Sequence, residues 1–350
     1  MSNHEMQCAR DGHSDDIKEV AYITMLPNEL ILSIAENLSR NCDLNSFLRC
    51  NRRFHSLLNQ QLYRLDAQSP GNDSLWWAIK TADVDLAKRA IDAGSDPNKK
   101  RGSRIWVGHR PLLVAVLQAK NTHKRKIVPK NEPPDFLERN DNLIRYLVSR
   151  KVDMNLDHFQ DSPLRHAVFN GEITTVRLLL DNGADVSIQD CRGGGLAQLI
   201  VGRAQKDNPN SPIYFQILKL LLEHGLDPNA GNRWKFTPLH QQIKAVGTGV
   251  ERAKRKNYKN INEERVEDVL KLLLKHGADI DAQDHFGETP LSLALDCLHD
   301  EPICLTLLLQ YGADTSLVSL PSCQEKREAA LKVCEEVSQA TGKTFKFRTE

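Results

Sequence analysis

Aromatic residues are scarce in this chain. Phe, Trp and Tyr together make up 6% of its 350 residues. That is too little ring bulk for a large β core and suits thin, mostly helical layers. No charge of one sign dominates either: 47 basic and 46 acidic residues leave a formal net charge of +1. A near-neutral chain has no global field to draw it onto nucleic acid or an anionic membrane. No apolar run approaches the ~18 residues a membrane span requires. The eight cysteines, Cys8, Cys42, Cys50, Cys191, Cys297, Cys304, Cys323 and Cys334, are scattered, with no C-x-x-C pair and no Cys/His zinc spacing. The polar start, MSNHEMQCARDGHSDD, lacks an apolar h-region. A soluble protein with reduced thiols, cytoplasmic, nuclear or both, is expected. P-loop, HExxH, GxSxG and dinucleotide fingerprints are also missing, so no enzyme activity, cofactor or metal site is expected.

What is present is a repeat. SPLRHAVFNGEITTVRLLLDNGADVS (162–187) is echoed by TPLHQQI with VLKLLLKHGADID (237–281) and by TPLSLAL with ICLTLLLQYGADTS (289–316). ILKLLLEHGLDPN (217–229) repeats the second half. Weaker copies are SLWWAIK with LAKRAIDAGSDPN (74–98) and RPLLVAV with LIRYLVSRKVDMN (110–155), making six units. Ser162, Thr237 and Thr289 are placed to cap a helix whose first residue is Pro163, Pro238 or Pro290. Leu179–Leu180, Leu221–Leu222, Leu273–Leu274 and Leu308–Leu309 form the inner stripe of a second helix. Gly94, Gly183, Gly225, Gly277 and Gly312 then supply the left-handed end. Lys151 stands where unit two should have that Gly, which predicts either a strained left-handed residue or a shifted helix end. Gly193-Gly194-Gly195 replaces the cap of unit four and reads as a degenerate, floppy helix start. The spacing from the Pro position to the GAD Asp is 22 in units one and three and 24 in unit six. It grows to 42, 32 and 41 in units two, four and five, always between the two helices. Two of these insertions, 119–130 and 251–259, are basic; a solvated loop or a patch for nuclear import or an acidic partner fits either one. The Asp residues of the GAD turns are expected to serve the turn, and His166 and His240 to bond structurally.

This pattern resembles the ankyrin repeat over roughly residues 74–316. The resemblance implies an all-α helical solenoid whose finger tips and concave helices bind another protein. Alignment on the Pro-Leu starts puts Val107, Phe159, Cys191, Trp234 and Phe286 in one finger-tip column, with Trp106 and Phe236 beside it. The target-binding candidates are therefore Trp106, Phe159, Trp234, Phe236 and Phe286, with the basic finger 98–104 adding charge. Each ring could instead pack on the next finger, and Phe286 is the weaker binding candidate, because the resemblance makes an aromatic before Gly common there.

Ahead of the repeats, residues 23–64 read as three short amphipathic helices, too small to hold much core alone. Leu26-Pro27-x-Glu29-Leu30-x-x-x-Ile34, Leu38, Asp43-Leu44, Phe47-Leu48-Arg49-Cys50 and Arg52-Arg53-Phe54 resemble an F-box, so the whole is similar to the fungal-type F-box/ankyrin architecture. The resemblance implies docking on the Skp-type linker of an SCF ubiquitin ligase through Leu26, Pro27, Leu30, Ile34, Leu44 and Leu48. A second reading makes the three helices an N-terminal cap, which a solenoid needs in any case. The remaining divisions are a disordered start (1–22), a linker (65–73), a C-terminal capping helix (317–340, with Leu331 and Val337 inward) and a frayed tail (341–350). The reading is a substrate receptor with an unknown protein target and no direct contact with membrane or nucleic acid. The alternative is an ankyrin scaffold or transcription co-regulator with no ligase role.

Overall fold

In the computed structural model the described residues are 25–38, parts of 43–49, 51–69, 71–100, 108–119, 134–155, 162–204, 211–246, 263–298 and 302–348. All are helix, turn or loop apart from two isolated bridges. Leu44, Leu48, Trp106, Val107, Phe159, the start 1–22, the loop 251–259 and all but the first residue of the loop 119–130 lie outside them. The chain divides into two compact units, Met1–Val152 and Asp153–Glu350.

The first unit begins with α1 (Asn28–Asn37) and α2 (Arg52–Gln68), which enclose a small core of Ile31, Ala35, Phe54 and Leu58. Phe47 stacks on Phe54 at 4.8 Å, and Leu26 and Leu38 pack against the cluster. Leu38 therefore does not share a face with Leu30 and Ile34 as its four-residue spacing suggests, because the helix has ended at Asn37. Asn51 caps α2 by accepting from Arg53 N. The helix runs on to Gln68, leaving only 69–72 as connection to α3 (Asp73–Thr81) and α4 (Val84–Asp92). Asn72 places no side chain on the exposed N–H groups of α3. The buried carboxylate of Asp66, from α2, accepts from Asp73 N at 3.2 Å and Ser74 N at 2.8 Å instead. An anion at a helix N-terminus is favoured both by the dipole and by the unpaired donors. The next repeat is α5 (Pro111–Gln118) with α6 (Phe136–Ser149), closed by Lys151 in the left-handed region at φ 55°.

The second unit stacks four helix pairs: α7 (Pro163–Asn170) with α8 (Ile173–Asp181), α9 (Leu196–Ala204) with α10 (Ser211–Glu223), α11 (238–246) with α12 (Glu263–Lys275), and α13 (Pro290–Asp296) with α14 (Ile303–Tyr311). Ser162 accepts from Arg165 N, and Thr289 forms a full capping box with Ser292. Leu179, Leu221, Leu273 and Leu308 are fully buried, one per pair. The glycine after each of these helices has a φ near 90°, which only Gly adopts without cost.

The GAD turns are uniform. In each, the Asp carboxylate accepts the N–H two residues on, from Asp96 with Asn98 N at 2.8 Å to Asp314 with Ser316 N at 2.9 Å. In three of the turns the polar residue at this second position reaches the following turn. Asn155 donates to Gly183 O and accepts from Asp185 N, and Asn229 does the same with Gly277 O and Asp279 N. Asp281 holds this place in the next turn and accepts from Asp314 N at 2.8 Å. A carboxylate has no proton to give Gly312 O, and burial followed by the Asp314 charge raises the Asp281 carboxyl above its usual range. Asp281→Asn is expected to restore the two-way bridge and raise stability by ~0.5–1.5 kcal/mol. Thermal melting of the two proteins checks this; a lower melting point for the variant contradicts it.

At the C-terminus, α15 (Gln324–Thr341) buries Ala330, Val333, Cys334 and Val337. Leu331, expected inward, is 42% exposed. It stands one position after Ala330, on the other side of the stripe that Ala330, Val333, Cys334 and Val337 draw at three- and four-residue steps. The tail is not frayed through Arg348. Lys346 N donates to Thr315 Oγ1, the Thr315 hydroxyl donates to Lys346 O, and Arg348 N donates to Val318 O.

Candidate docking surfaces

Three successive fingers of the second unit share one backbone design. Asp190, Asn232 and Asp284 each open a finger, and each accepts the N–H groups two and four residues on, at 2.7–3.1 Å. Their own N–H groups return to Gly194 O, Phe236 O and Glu288 O. The fourth residue of each finger is left-handed: Gly193, Lys235 and Gly287. The tips are joined to one another, because Arg233 N donates to Arg192 O at 2.9 Å and His285 N to Trp234 O at 2.7 Å.

This geometry corrects two readings of unit four. The triple glycine is not floppy. Asp190 holds Gly194 N, and Gln198 Oε1 accepts from Gly195 N at 2.9 Å. Gly193 combines φ 71° with a close approach, since a Cβ there would lie 3.0 Å from Arg233 N. The column also slips by one residue. Gly195-Leu196-Ala197-Gln198 is the counterpart of Thr237-Pro238-Leu239-His240, so Leu196 takes the proline's place. Arg192, not Cys191, then falls in line with Trp234 and Phe286. The available signal was Gln198: like His240, it is the fourth residue of its helix start and can bond back to the first.

His240 is fully buried. Its Nδ1 accepts from Thr237 N at 3.2 Å and lies 2.7 Å from Thr237 Oγ1, while Nε2 sits 3.0 Å from Glu288 O. Acceptance at Nδ1 leaves Nε2 as the donor to the carbonyl. Burial lowers its pKa below the ordinary 6.5. Gln198 reaches the matching place one finger earlier, donating to Ala230 O and to Phe236 O. Both side chains are struts between fingers.

Phe286 is the most exposed ring of the row at 76%, with His285 edge-on at 6.0 Å. Trp234 is half-buried, and the Arg233 guanidinium lies 4.0 Å above its ring. Phe236 is also half-buried, tilted against His240 at 5.1 Å with the Lys244 ammonium 5.5 Å away. Arg192, Arg233 and Lys235 are exposed.

The first unit has a different candidate surface, on α1. Ile31 and Ala35 point into the small core, whereas Leu30 is 51% and Ile34 39% exposed, with Met25 and Pro27 exposed beside them. Leu26 is not on that surface but packs into the core.

No group of three metal-ligating side chains occurs among the described residues, and no described helix is long and apolar enough to cross a membrane. Cys304 and Cys334 are buried, which pushes their thiols up to about 12 and about 11. Cys191 and Cys323 are exposed. Iodoacetamide at pH 8 is expected to modify Cys191 and Cys323 at least ~tenfold faster than Cys304 and Cys334, because the thiolate is the reacting form. Peptide mapping checks the order; rapid labelling of Cys304 in the folded protein contradicts it.

Stacked helix pairs with a continuous row of finger tips define a protein–protein interaction scaffold. Family comparison gives the class its name: residues 136–190 and 263–309 match models of ankyrin repeats in several copies, and 234–285 matches the single ankyrin repeat. The chain carries ankyrin repeats. It is 32% identical over 158 residues to ankyrin repeat and SOCS box protein 16 of Mus musculus, covering 43% of this chain and 30% of the relative. It is 34% identical over 98 residues to an ankyrin repeat-containing protein of Schizosaccharomyces pombe, covering 27% of this chain and 35% of the relative. The chain thus spans about a third of the length of these two relatives. An ankyrin repeat domain from Acinetobacter baumannii has the same fold, with TM-score 0.50 and 22% identity, over 69% of this chain and 98% of that one.

Proposed function

We propose that this chain is the substrate-recognition subunit of an SCF-type ubiquitin ligase. The N-terminal helices hold a Skp-type linker, and the ankyrin fingers hold a target protein. One observation carries the proposal: α1 is apolar on two sides. Ile31 and Ala35 fill the internal core while Leu30 and Ile34 stay exposed. A short helix needs only one apolar stripe to fold. A second stripe left in water, with Met25 and Pro27 next to it, fits a groove on another protein. In this reading Leu30, Ile34 and Pro27 make the contact, with Leu44 and Leu48 as further candidates, and Leu26 supports them from the core. The name of the mouse relative likewise joins ankyrin repeats to a second element, a SOCS box. The reading places the chain in the cytoplasm or nucleus and calls for no cofactor.

The test is co-expression of the tagged full chain with a Skp-type linker. Wild type is expected to retain the linker. Leu30→Asp with Ile34→Asp is expected to weaken retention by about 100-fold, as two hot-spot losses do, with the melting point unchanged. Absence of linker on the wild-type chain overturns the reading.

A further inference from the structure

We propose that the finger row of the second unit receives an extended acidic peptide segment, its carboxylates pairing with Arg192, Arg233 and Lys235 and an apolar side chain resting on Phe286. This deepens the reading above by naming the chemistry of the target, and it rests on the array being the target-holding part. Charge is separated within the fingers. The finger carboxylates Asp190 and Asp284 are turned into the turns, where each accepts two backbone N–H groups. The outward tips 191–193, 233–235 and 285–287 carry Arg192, Arg233, Lys235 and His285, and no carboxylate. Glu288, at the base of the third finger, is half-buried, and burial raises its carboxyl above the usual range. A chain of net charge +1 therefore shows a locally positive edge.

The shape of the ligand follows from the backbone. The bonds from Arg233 N to Arg192 O and from His285 N to Trp234 O hold successive tips in line. A linear row of charges is met by an extended strand rather than by a helix face. Arginine pairs with carboxylates through two parallel bonds, which gives the contact direction as well as charge. Phe286 supplies exposed apolar area, while Asp284, just before it in the chain, is buried and turned to backbone N–H groups. Single-stranded nucleic acid fits less well, because base stacking needs open ring faces. Here Trp234 is covered by Arg233 and Phe236 is half-buried, so the exposed Phe286 has no run of open ring faces beside it.

The experiment uses the full chain and four fluorescent 12-unit probes: an alternating Glu–Leu peptide, its Gln–Leu and Lys–Leu counterparts, and oligothymidylate. The Glu–Leu peptide is expected to bind at least about tenfold more tightly than the others and to weaken with added salt, as screened charge pairs do. Arg192→Gln with Arg233→Gln and Lys235→Gln is expected to abolish the preference. Arg233→Gln alone keeps the test open should the triple variant misfold. Equal binding of the Gln–Leu peptide overturns the acidic assignment, as does tighter binding of oligothymidylate or binding of none. Linker retention measured on the same preparation reports the ligase reading separately.

Discussion

Asp66→Ala is expected to unfold the first unit at a markedly lower temperature, with a loss of ~2–4 kcal/mol. The carboxylate is buried and holds the first two N–H groups of α3. Removing it leaves two donors unsatisfied beside a buried helix start, each costing ~1–3 kcal/mol, and withdraws an anion from the positive end of the helix dipole. No local residue can replace it, because Asn72 is left-handed and caps nothing. Asp66→Asn keeps one acceptor oxygen and is expected to lose about half as much. Chemical denaturation with the N-terminal helices and the first repeat followed separately checks this. If the alanine variant is as stable as wild type, the α2–α3 joint is not held as described.

His240→Ala is expected to cost ~2–4 kcal/mol, since it strands Thr237 N and Glu288 O in a buried place. His240→Gln is expected to recover most of that, because Gln198 already performs the same task one finger earlier. The two variants also separate packing from titration. His240 has a folded pKa below 6.5, so the unfolded chain binds the proton more readily. Its stabilising bonds are fully present above pH 6.5 and are lost as the pH falls through the folded value. Wild type should weaken on acidification below 6.5, and His240→Gln should show a shallower slope. Equal slopes would remove His240 as the cause.

The regular parts of the fold were legible because each rests on local chemistry. Pro after Ser or Thr, paired leucines and a terminal Gly specify helix starts, inner stripes and ends without reference to anything distant. Lys151 illustrates it: the position allowed a left-handed residue or a shifted helix end, and its φ of 55° shows the first. What sequence reasoning missed depends on partners far along the chain. Thr315 holds the C-terminal strand-like tail from 31 residues away. Asp66 looks like one more helix-surface acid until α3 arrives over it. Leu331 was one residue off an inward stripe drawn by small residues, Ala330, Val333 and Cys334, rather than by leucines.

The docking surfaces were partly legible. Leu26, Leu30 and Ile34 carry one motif, yet the fold sends Leu26 inward and leaves the other two exposed. A Leu26→Asp change would therefore test folding rather than binding. In the fingers, a one-residue difference in unit four hid Arg192 behind Cys191. Hydrophobic pattern cannot show that difference, because the position is exposed; the capping role of Gln198 can. Trp106 and Phe159 stay candidates from the sequence alone.

The proposed ligase role requires the N-terminal helices to dock a Skp-type linker. Titration calorimetry of the purified chain against a purified Skp-type linker tests it most directly. The account predicts a one-to-one complex with a dissociation constant of about 1 μM or tighter and a negative heat-capacity change from apolar burial, both abolished by Leu30→Asp with Ile34→Asp. A folded wild-type chain that gives no binding signal would contradict it and leave the N-terminal helices as a cap on the repeats.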